Sequence, residues 1–280
     1  MRFRRRKPRP LGVPGAAPLA DSPQLRFRRR GIYLLPNLFT LAALFAGFFA
    51  IVQAMNGRFE LSAMAIFAAV VLDGMDGRVA RLTNTQSAFG EQFDSLSDMT
   101  SFGVAPALVM YEWILSDIGR WGWAAAFVYC AGAALRLARF NANLGVVDKR
   151  FFQGLPSPAS AALVAGFVWL AVDERLPIGD SWLPWVAFGI TVYAGLSMVS
   201  SAPFYSGKSF HLGRSVPFGV MIVAVIGVFV VSGDPPIALF TLFCAYALSG
   251  YAFWGYKWFR GEPNPAKPVP APPGDSGKAG

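Results

Sequence analysis

Four aspartates, Asp73, Asp76, Asp94 and Asp98, are the residues of this chain best suited to chemistry. They lie in a 26-residue segment that contains five of the sixteen acidic residues of the sequence. Asp73 and Asp76 are three residues apart, and Asp94 and Asp98 are four apart, so each pair would share one face of a helix. Because ionised side chains are costly inside a membrane, such a concentration indicates a function.

The chemistry that these aspartates suggest is metal binding. Four carboxylates that converge on one place would not all stay ionised without a cation. A ligand set made only of oxygen atoms suits Mg²⁺ or Mn²⁺ better than zinc or copper. Such ions complete their coordination with substrate phosphates and stabilise the oxygens of a phosphoryl displacement. The sequence therefore predicts a magnesium or manganese site that binds a diphosphate.

Small residues accompany the aspartates. Gly77, Ala80 and Gly90 would let a nucleotide lie close against the helix backbones, and Arg81 would add positive charge at the phosphates. Close packing between helices is an equally good explanation for the small residues alone.

The elements that position these residues are predicted to be membrane helices. Of the 280 residues, 54% are hydrophobic and 15% are charged, which is too apolar for an ordinary soluble domain. A helix needs about 20 apolar residues to cross a bilayer. Eight segments meet or approach this length, so we predict an all-α transmembrane bundle of about eight spans. The segments are residues 31–55, 61–80, 98–115, 121–140, 158–172, 181–206, 215–233 and 235–256.

The positive charges predict the orientation of this bundle. The net charge of +9 could suggest a nucleic-acid partner. With eight spans, however, 22 of the 25 Lys and Arg residues fall on the side that carries both termini. Basic residues are enriched in cytoplasmic loops. We therefore predict no nucleic-acid partner, both termini in the cytoplasm, and a multi-pass protein of the inner (plasma) membrane whose aspartates face the cytoplasm.

Composition divides the chain into three parts. Residues 1–30 are rich in Arg and Pro and predict a basic, flexible cytoplasmic arm. Residues 31–258 hold the predicted transmembrane domain. Residues 259–280 contain so many prolines that they predict a disordered cytoplasmic tail.

A second group of polar residues could bind an anionic part of a substrate. Arg136 and Arg139 are one helical turn apart at the predicted cytoplasmic end of the fourth span, and Asn141 follows them. Arg presents planar donors that suit a carboxylate or a phosphate. Lys208 is a further, weaker candidate. The alternative is that these basic residues only anchor the helices at the cytoplasmic surface. Nearby, Ser157 could cap the fifth helix.

The aspartate segment resembles the signature of the CDP-alcohol phosphatidyltransferases. From Asp73 to Asp98 it reads D-x-x-D-G-x-x-A-R-(x₈)-G-x-x-x-D-x-x-x-D, and every defined position matches. The surrounding segments SDMTSFGVAPA, RLARFN, FFQGLPSPAS and LSMVSSAPFYSGKSF resemble those members of the family whose acceptor is serine.

This resemblance implies a role for each residue of the signature. Asp73, Asp76 and Asp94 would bind the metal ions, and Asp98 would act as the base and as a possible further ligand. The cytidine of the lipid substrate would lie near the four remaining positions of the signature, which are Gly77, Ala80, Arg81 and Gly90.

The resemblance also implies the reaction and the partners. The expected substrates are CDP-diacylglycerol and L-serine, the products are phosphatidylserine and CMP, and the expected assembly is a homodimer. Within the family, glycerol 3-phosphate, inositol phosphate or choline are alternative acceptors. Outside it, a divalent-cation transporter would be expected to hold its carboxylates near the membrane midplane. An aspartate-rich prenyltransferase would carry two distant motifs.

Overall fold

The chain is mostly helical in a computed structural model that describes residues 23–83, 87–142, 151–176, 179, 181–205, 227, 229 and 232–261. This confirms the predicted helical fold, although most of the predicted span 215–233 lies outside the described residues. The helices are α1 Pro23–Met55, α2 Phe59–Thr83, α3 Ala88–Asp98, α4 Ala105–Trp113, α5 Arg120–Ala142, α6 Ser157–Val172, α7 Leu183–Val199 and α8 Pro235–Phe259. A 3₁₀ turn, Leu115–Ile118, joins α4 to α5.

Two short strands correct the strictly all-α prediction. Strand β1, Phe151–Gln153, pairs antiparallel with β2, Pro203–Tyr205. The predicted span 181–206 was therefore too long, because α7 ends at Val199 and the backbone is already extended at Ser200 (φ −59°, ψ 161°). Proline lacks an amide donor, which suits Pro203 to the start of a strand and not to a continued helix.

The third helical segment begins earlier than predicted. Helix α3 starts at Ala88, ten residues before the predicted start at Asp98, because Ser87 caps it by accepting a hydrogen bond from the amide of Gly90 at 3.0 Å. A π-helical turn, Met99–Val104, then joins α3 directly to α4. Asp94 and Asp98 therefore both lie on a regular helix, immediately before the π-helical turn.

Helix α1 packs along α2 and also contacts α3 and the π-helical turn. Ser97 and Ser101 donate hydrogen bonds, each of 3.1 Å, to backbone carbonyls of Thr40 and Ala43 in α1. At Gly47 the two segments approach so closely that a Cβ would lie 2.5 Å from the hydroxyl oxygen of Ser101. These contacts hold the helix that carries Asp94 and Asp98 against α1, and α1 in turn lies against α2.

The apolar surfaces of the helices indicate a membrane protein. Residues Pro36–Met55 and helix α8 are long and apolar enough to cross a membrane, with mean hydropathies of 2.1 and 1.6. Helices α6 and α7 are apolar but shorter. Helix α6 is almost entirely buried and contacts α2, α4, α7 and α8, so it forms the centre of the bundle. The number of eight spans and the side of the termini stay predictions.

The division of the chain into arm, domain and tail also stays a prediction. Helix α1 begins at Pro23, eight residues before the predicted start of the first span at residue 31. Helix α8 ends at Phe259, three residues after the predicted end of the last span. Residues 1–22 and 262–280 lie outside the described part of the chain.

Candidate metal and nucleotide site

The two helices that carry the aspartate signature bring its acidic side chains together. Asp73 and Asp76 on α2 and Asp94 on α3 each offer a carboxylate oxygen, and these oxygens all lie within 4.8 Å of one another. Asp98, one turn after Asp94, shares a hydrogen bond with Asp73. We call these four residues the carboxylate cluster. Their spacing of three and four residues explains the convergence, since each pair lies on one helix face.

The surroundings and the pKa of Asp94 indicate whether the carboxylate cluster is suited to a divalent cation. Its buried Oδ1 has no hydrogen-bond partner among the described residues. Burial, together with the charges of Asp76 and Asp73, raises the pKa of Asp94 to about 7. Crowded carboxylate oxygens, one of which is buried without a described partner, suit Mg²⁺ or Mn²⁺. The ion would supply the positive charge that offsets the repulsion between the carboxylates.

Asp76 has a partner that the sequence analysis did not identify. The hydroxyl of Thr40 in α1 donates a hydrogen bond of 2.8 Å to Oδ2 of Asp76, and both residues are buried. A usable signal was present in the sequence. Asn37 and Thr40 are polar residues three positions apart in the otherwise apolar stretch 34–52 of α1, and this spacing places them on one face.

An open cavity of about 240 Å³ adjoins the carboxylate cluster between α1, α2 and α3. It is lined by all four residues predicted to contact the cytidine, Gly77, Ala80, Arg81 and Gly90. Pro36, Asn37, Thr40, Asp76, Ser87, Glu91 and Asp94 complete its lining. Small residues and acidic residues therefore line the same cavity, a combination that suits a nucleotide diphosphate held by a metal ion.

The glycines of this cavity differ in their surroundings. A Cβ at Gly90 would lie 3.2 Å from the hydroxyl of Ser87 and 3.3 Å from Oδ1 of Asn37, so a larger residue would press on the cap of α3. A Cβ at Gly77 would have no described heavy atom within 4 Å. Packing against the described residues therefore does not account for Gly77, which borders the cavity.

Arg136 on α5 lies close enough to the carboxylate cluster for its charge to act on two of the aspartates. Its side chain is buried, and NH1 donates a 2.6 Å hydrogen bond to the hydroxyl of Ser157. Its Nε has no partner among the described residues. The guanidinium interacts electrostatically with Asp98 and Asp73. Ser157 is consequently not the cap that we expected, because it lies inside α6 and its hydroxyl accepts from Arg136.

Arg139, one turn later, uses its guanidinium to hold the backbone. NH1 donates to the carbonyl of Val199 at 2.8 Å, and NH2 lies within 2.9–3.3 Å of the carbonyls of Gln153, Met198 and Ser200. These bonds fasten the end of α7 to β1. Its predicted contact with an acceptor substrate stays a prediction, in competition with this structural role.

Of the two remaining candidates, Asn141 belongs to the described part of the chain and Lys208 does not. The amide of Asn141 donates a 3.1 Å hydrogen bond to the hydroxyl of Ser95, the neighbour of Asp94. It therefore joins the end of α5 to α3. Lys208 lies outside the described residues.

Comparison with known proteins gives one family and a consistent set of relatives. The sequence model described as CDP-alcohol phosphatidyltransferase matches residues 33–193. Similar proteins are named CDP-diacylglycerol–serine O-phosphatidyltransferase. One from Helicobacter pylori (strain J99) is 40% identical over 177 residues, 63% of this chain and 74% of its own. One from Mycobacterium leprae is 32% identical, covering 84% and 80%. One from Methanocaldococcus jannaschii is 33% identical, covering 84% and 100%.

Proposed function

The chain belongs to the CDP-alcohol phosphatidyltransferase family, and from this premise we propose that it transfers the phosphatidyl group of CDP-diacylglycerol to the hydroxyl of L-serine and releases CMP. The observation that carries this proposal is the convergence of Asp73, Asp76 and Asp94 within 4.8 Å, beside a cavity lined by every predicted cytidine contact. The names of the relatives supply serine as the acceptor. The product is a phospholipid, so the enzyme serves phospholipid biosynthesis.

Asp73, Asp76 and Asp94 would hold Mg²⁺ or Mn²⁺, with Asp98 as a possible further ligand. When bound, the metal supplies positive charge that screens the diphosphate and stabilises the departing CMP. The aspartates also orient the diphosphate relative to α2, where Gly77 and Ala80 leave room for the nucleotide and Arg81 faces its phosphates. Holding the reacting groups in this geometry is a large part of catalysis in phosphoryl transfer.

Asp98 acts as the base in this mechanism. The serine hydroxyl oxygen attacks the phosphorus that carries the diacylglycerol, and its proton passes to a carboxylate oxygen of Asp98. The bond between that phosphorus and the bridging oxygen breaks, and CMP leaves with the electron pair. Support for this assignment comes from the position of Asp98 beside Asp73, at the end of the cluster nearest Arg136.

Arg136 binds the carboxylate of serine. A buried guanidinium with an unused Nε is suited to a planar anionic group, which it can contact through two donors. Ser157 fixes the guanidinium from the other side through the bond to NH1. The electrostatic link between Arg136 and Asp98 would bring the acceptor's carboxylate close to the group that removes its hydroxyl proton. Asn141 and Lys208 are further candidates for contact with the acceptor.

The protein works as a multi-pass enzyme of the inner membrane, with the carboxylate cluster open to the cytoplasm and a homodimer as its assembly. Serine and CMP are soluble in water, so the site needs access from an aqueous compartment. The exposed Arg81 and Glu91 at the rim of the cavity support this access. The distribution of Lys and Arg along the sequence supports the cytoplasmic side.

Release of CMP by the purified protein tests the proposal. The protein in detergent is given CDP-diacylglycerol and Mn²⁺ with serine, glycerol 3-phosphate, inositol phosphate or choline, each in a separate reaction. We expect CMP release that depends on serine and on metal, and phosphatidylserine as the lipid product. Release with a different acceptor would keep the family's reaction and change the product. No release with any acceptor would contradict the transferase function.

A further inference from the structure

Thr40 occupies a special position among the polar residues of α1. It is 4% exposed, and it lies between the two helices that carry the carboxylate cluster. Its hydroxyl contacts Asp76 on α2, whereas its backbone carbonyl accepts a 3.1 Å hydrogen bond from Ser97 on α3. One residue of α1 is thus bonded to both helices that carry the cluster.

The hydroxyl of Thr40 has one proton and two acceptors within reach. Oδ2 of Asp76 lies at 2.8 Å and the carbonyl of Pro36 at 3.2 Å. A hydrogen bond to an ionised carboxylate is shorter and stronger than one to a neutral carbonyl. The proton therefore points to Asp76, and this bond restricts the rotation of the Asp76 carboxylate.

We propose that Thr40 is a positioning residue of the metal site, which orients Asp76 through its hydroxyl and sets the separation of α2 and α3 through its carbonyl. It does not touch the ion or the reacting atoms. Groups that orient metal ligands in this way typically contribute 10- to 100-fold to metal affinity. The inference rests on the proposed function, since it assumes that Asp76 binds a metal.

Direct titration of Mn²⁺ into the full-length protein, followed by electron paramagnetic resonance without any substrate, tests this role. Thr40→Val removes the hydroxyl and keeps the shape of the side chain, whereas Thr40→Ser keeps the hydroxyl. We expect about tenfold weaker Mn²⁺ binding for Thr40→Val and binding within about threefold of the wild type for Thr40→Ser. The Mn²⁺ concentration for half-maximal CMP release should rise in parallel.

Thr191→Val is a matched control. Thr191 is also buried, and among the described residues its hydroxyl donates to the carbonyl of Ala187 in its own helix α7, at 2.7 Å. We expect wild-type Mn²⁺ affinity for this variant. Equal weakening by Thr191→Val and Thr40→Val would overturn the positioning role, because the effect would then follow from the loss of any buried hydroxyl.

Two further outcomes separate this inference from the function on which it rests. Wild-type affinity in Thr40→Val, with binding lost in Asp76→Asn, would overturn the role of Thr40 and leave the metal site standing. Wild-type affinity in Asp76→Asn would overturn the metal site itself and the inference with it. If Thr40→Val does not fold, Thr40→Ala against Thr40→Ser gives the same comparison, with melting temperatures in EDTA as the check of folding.

Discussion

The carboxylate cluster and the arginines Arg136 and Arg139 near the end of α5 use their polar atoms in opposite ways. In the cluster, like charges face one another and Oδ1 of Asp94 is buried without a described partner. At Arg139, both terminal nitrogens bind backbone carbonyls. Arg136 is intermediate, with one donor bound to Ser157 and Nε unused among the described contacts.

This difference indicates which side chains have a polar atom free to bind a ligand. Buried polar groups in proteins are nearly always paired, so a buried group left without a partner needs an explanation. At Asp94 and Arg136 a bound cation and a bound anion would provide it. The terminal nitrogens of Arg139 already have hydrogen-bond partners within the protein, so no ligand is needed to explain this residue. Substitutions at the two kinds of residue should therefore have different effects.

The largest effect is expected at Asp94. Asp94→Asn replaces one metal ligand by a neutral amide and removes several kcal/mol of transition-state stabilisation, so CMP release should fall by about 10³-fold. The measurement is the rate of CMP release at saturating Mn²⁺. Asp117→Asn, at an exposed position on the 3₁₀ turn, is the matched control and should keep the wild-type rate. CMP release by Asp94→Asn at the wild-type rate would show that the carboxylate cluster takes no part in the mechanism.

The next effect concerns recognition of the acceptor by Arg136. Arg136→Lys keeps the charge but loses the planar pair of donors. A hydrogen bond to a charged group is worth about 1.5–3 kcal/mol, so kcat/KM for serine should fall by about 10- to 100-fold, mainly through KM. The KM for CDP-diacylglycerol should change little. An unchanged KM for serine would show that Arg136 serves only to hold Ser157.

Arg139 should affect stability instead. Arg139→Met removes the bonds that fasten α7 to β1, and we expect the free energy of unfolding to fall by on the order of 2 kcal/mol. The melting temperature in detergent measures this loss, and the KM for serine of the folded protein should stay closer to the wild-type value than that of Arg136→Lys. A raised KM with an unchanged melting temperature would instead support the acceptor role predicted from the sequence.

The smallest effect is on pH dependence. The pKa of Asp94 is raised to about 7, so this carboxylate is increasingly protonated as the pH falls through neutrality. A ligand must lose its proton before it binds metal. The affinity for Mn²⁺ should therefore fall by about tenfold between pH 8 and pH 6, as a titration at both values would reveal. Equal affinity at the two pH values would show that Asp94 does not bind the metal.

The sequence predicted the helical fold and the positions of most helices, because apolar length and charge are local properties. It missed the β1–β2 pair and the early end of α7. These depend on a contact between segments about fifty residues apart, Phe152 with Phe204. It also missed the start of α3 at Ala88, because α3 is an amphipathic helix whose cap, Ser87, lies in a polar segment without an apolar run.

Within the site, the sequence identified residues whose type alone is diagnostic. Carboxylates at helical spacing and glycines in a signature can be recognised without a structure. The sequence can mark Thr40 as a polar residue on one face of an apolar stretch, but neither its bond to Asp76 nor the pairing of Arg136 with Ser157 could be predicted, because a threonine or serine in an apolar helix commonly bonds its own backbone. Only the packing of α1 against α2, and of α5 against α6, reveals their actual partners.

Asp98→Asn gives the most direct test of the proposed mechanism. The variant and the wild type are compared for Mn²⁺ affinity by electron paramagnetic resonance and for CMP release from CDP-diacylglycerol and serine. We expect the variant still to bind Mn²⁺ while CMP release falls by at least about 10²-fold, the lower range for loss of a general base. CMP release at the wild-type rate would show that Asp98 is not the base and would contradict the proposed mechanism.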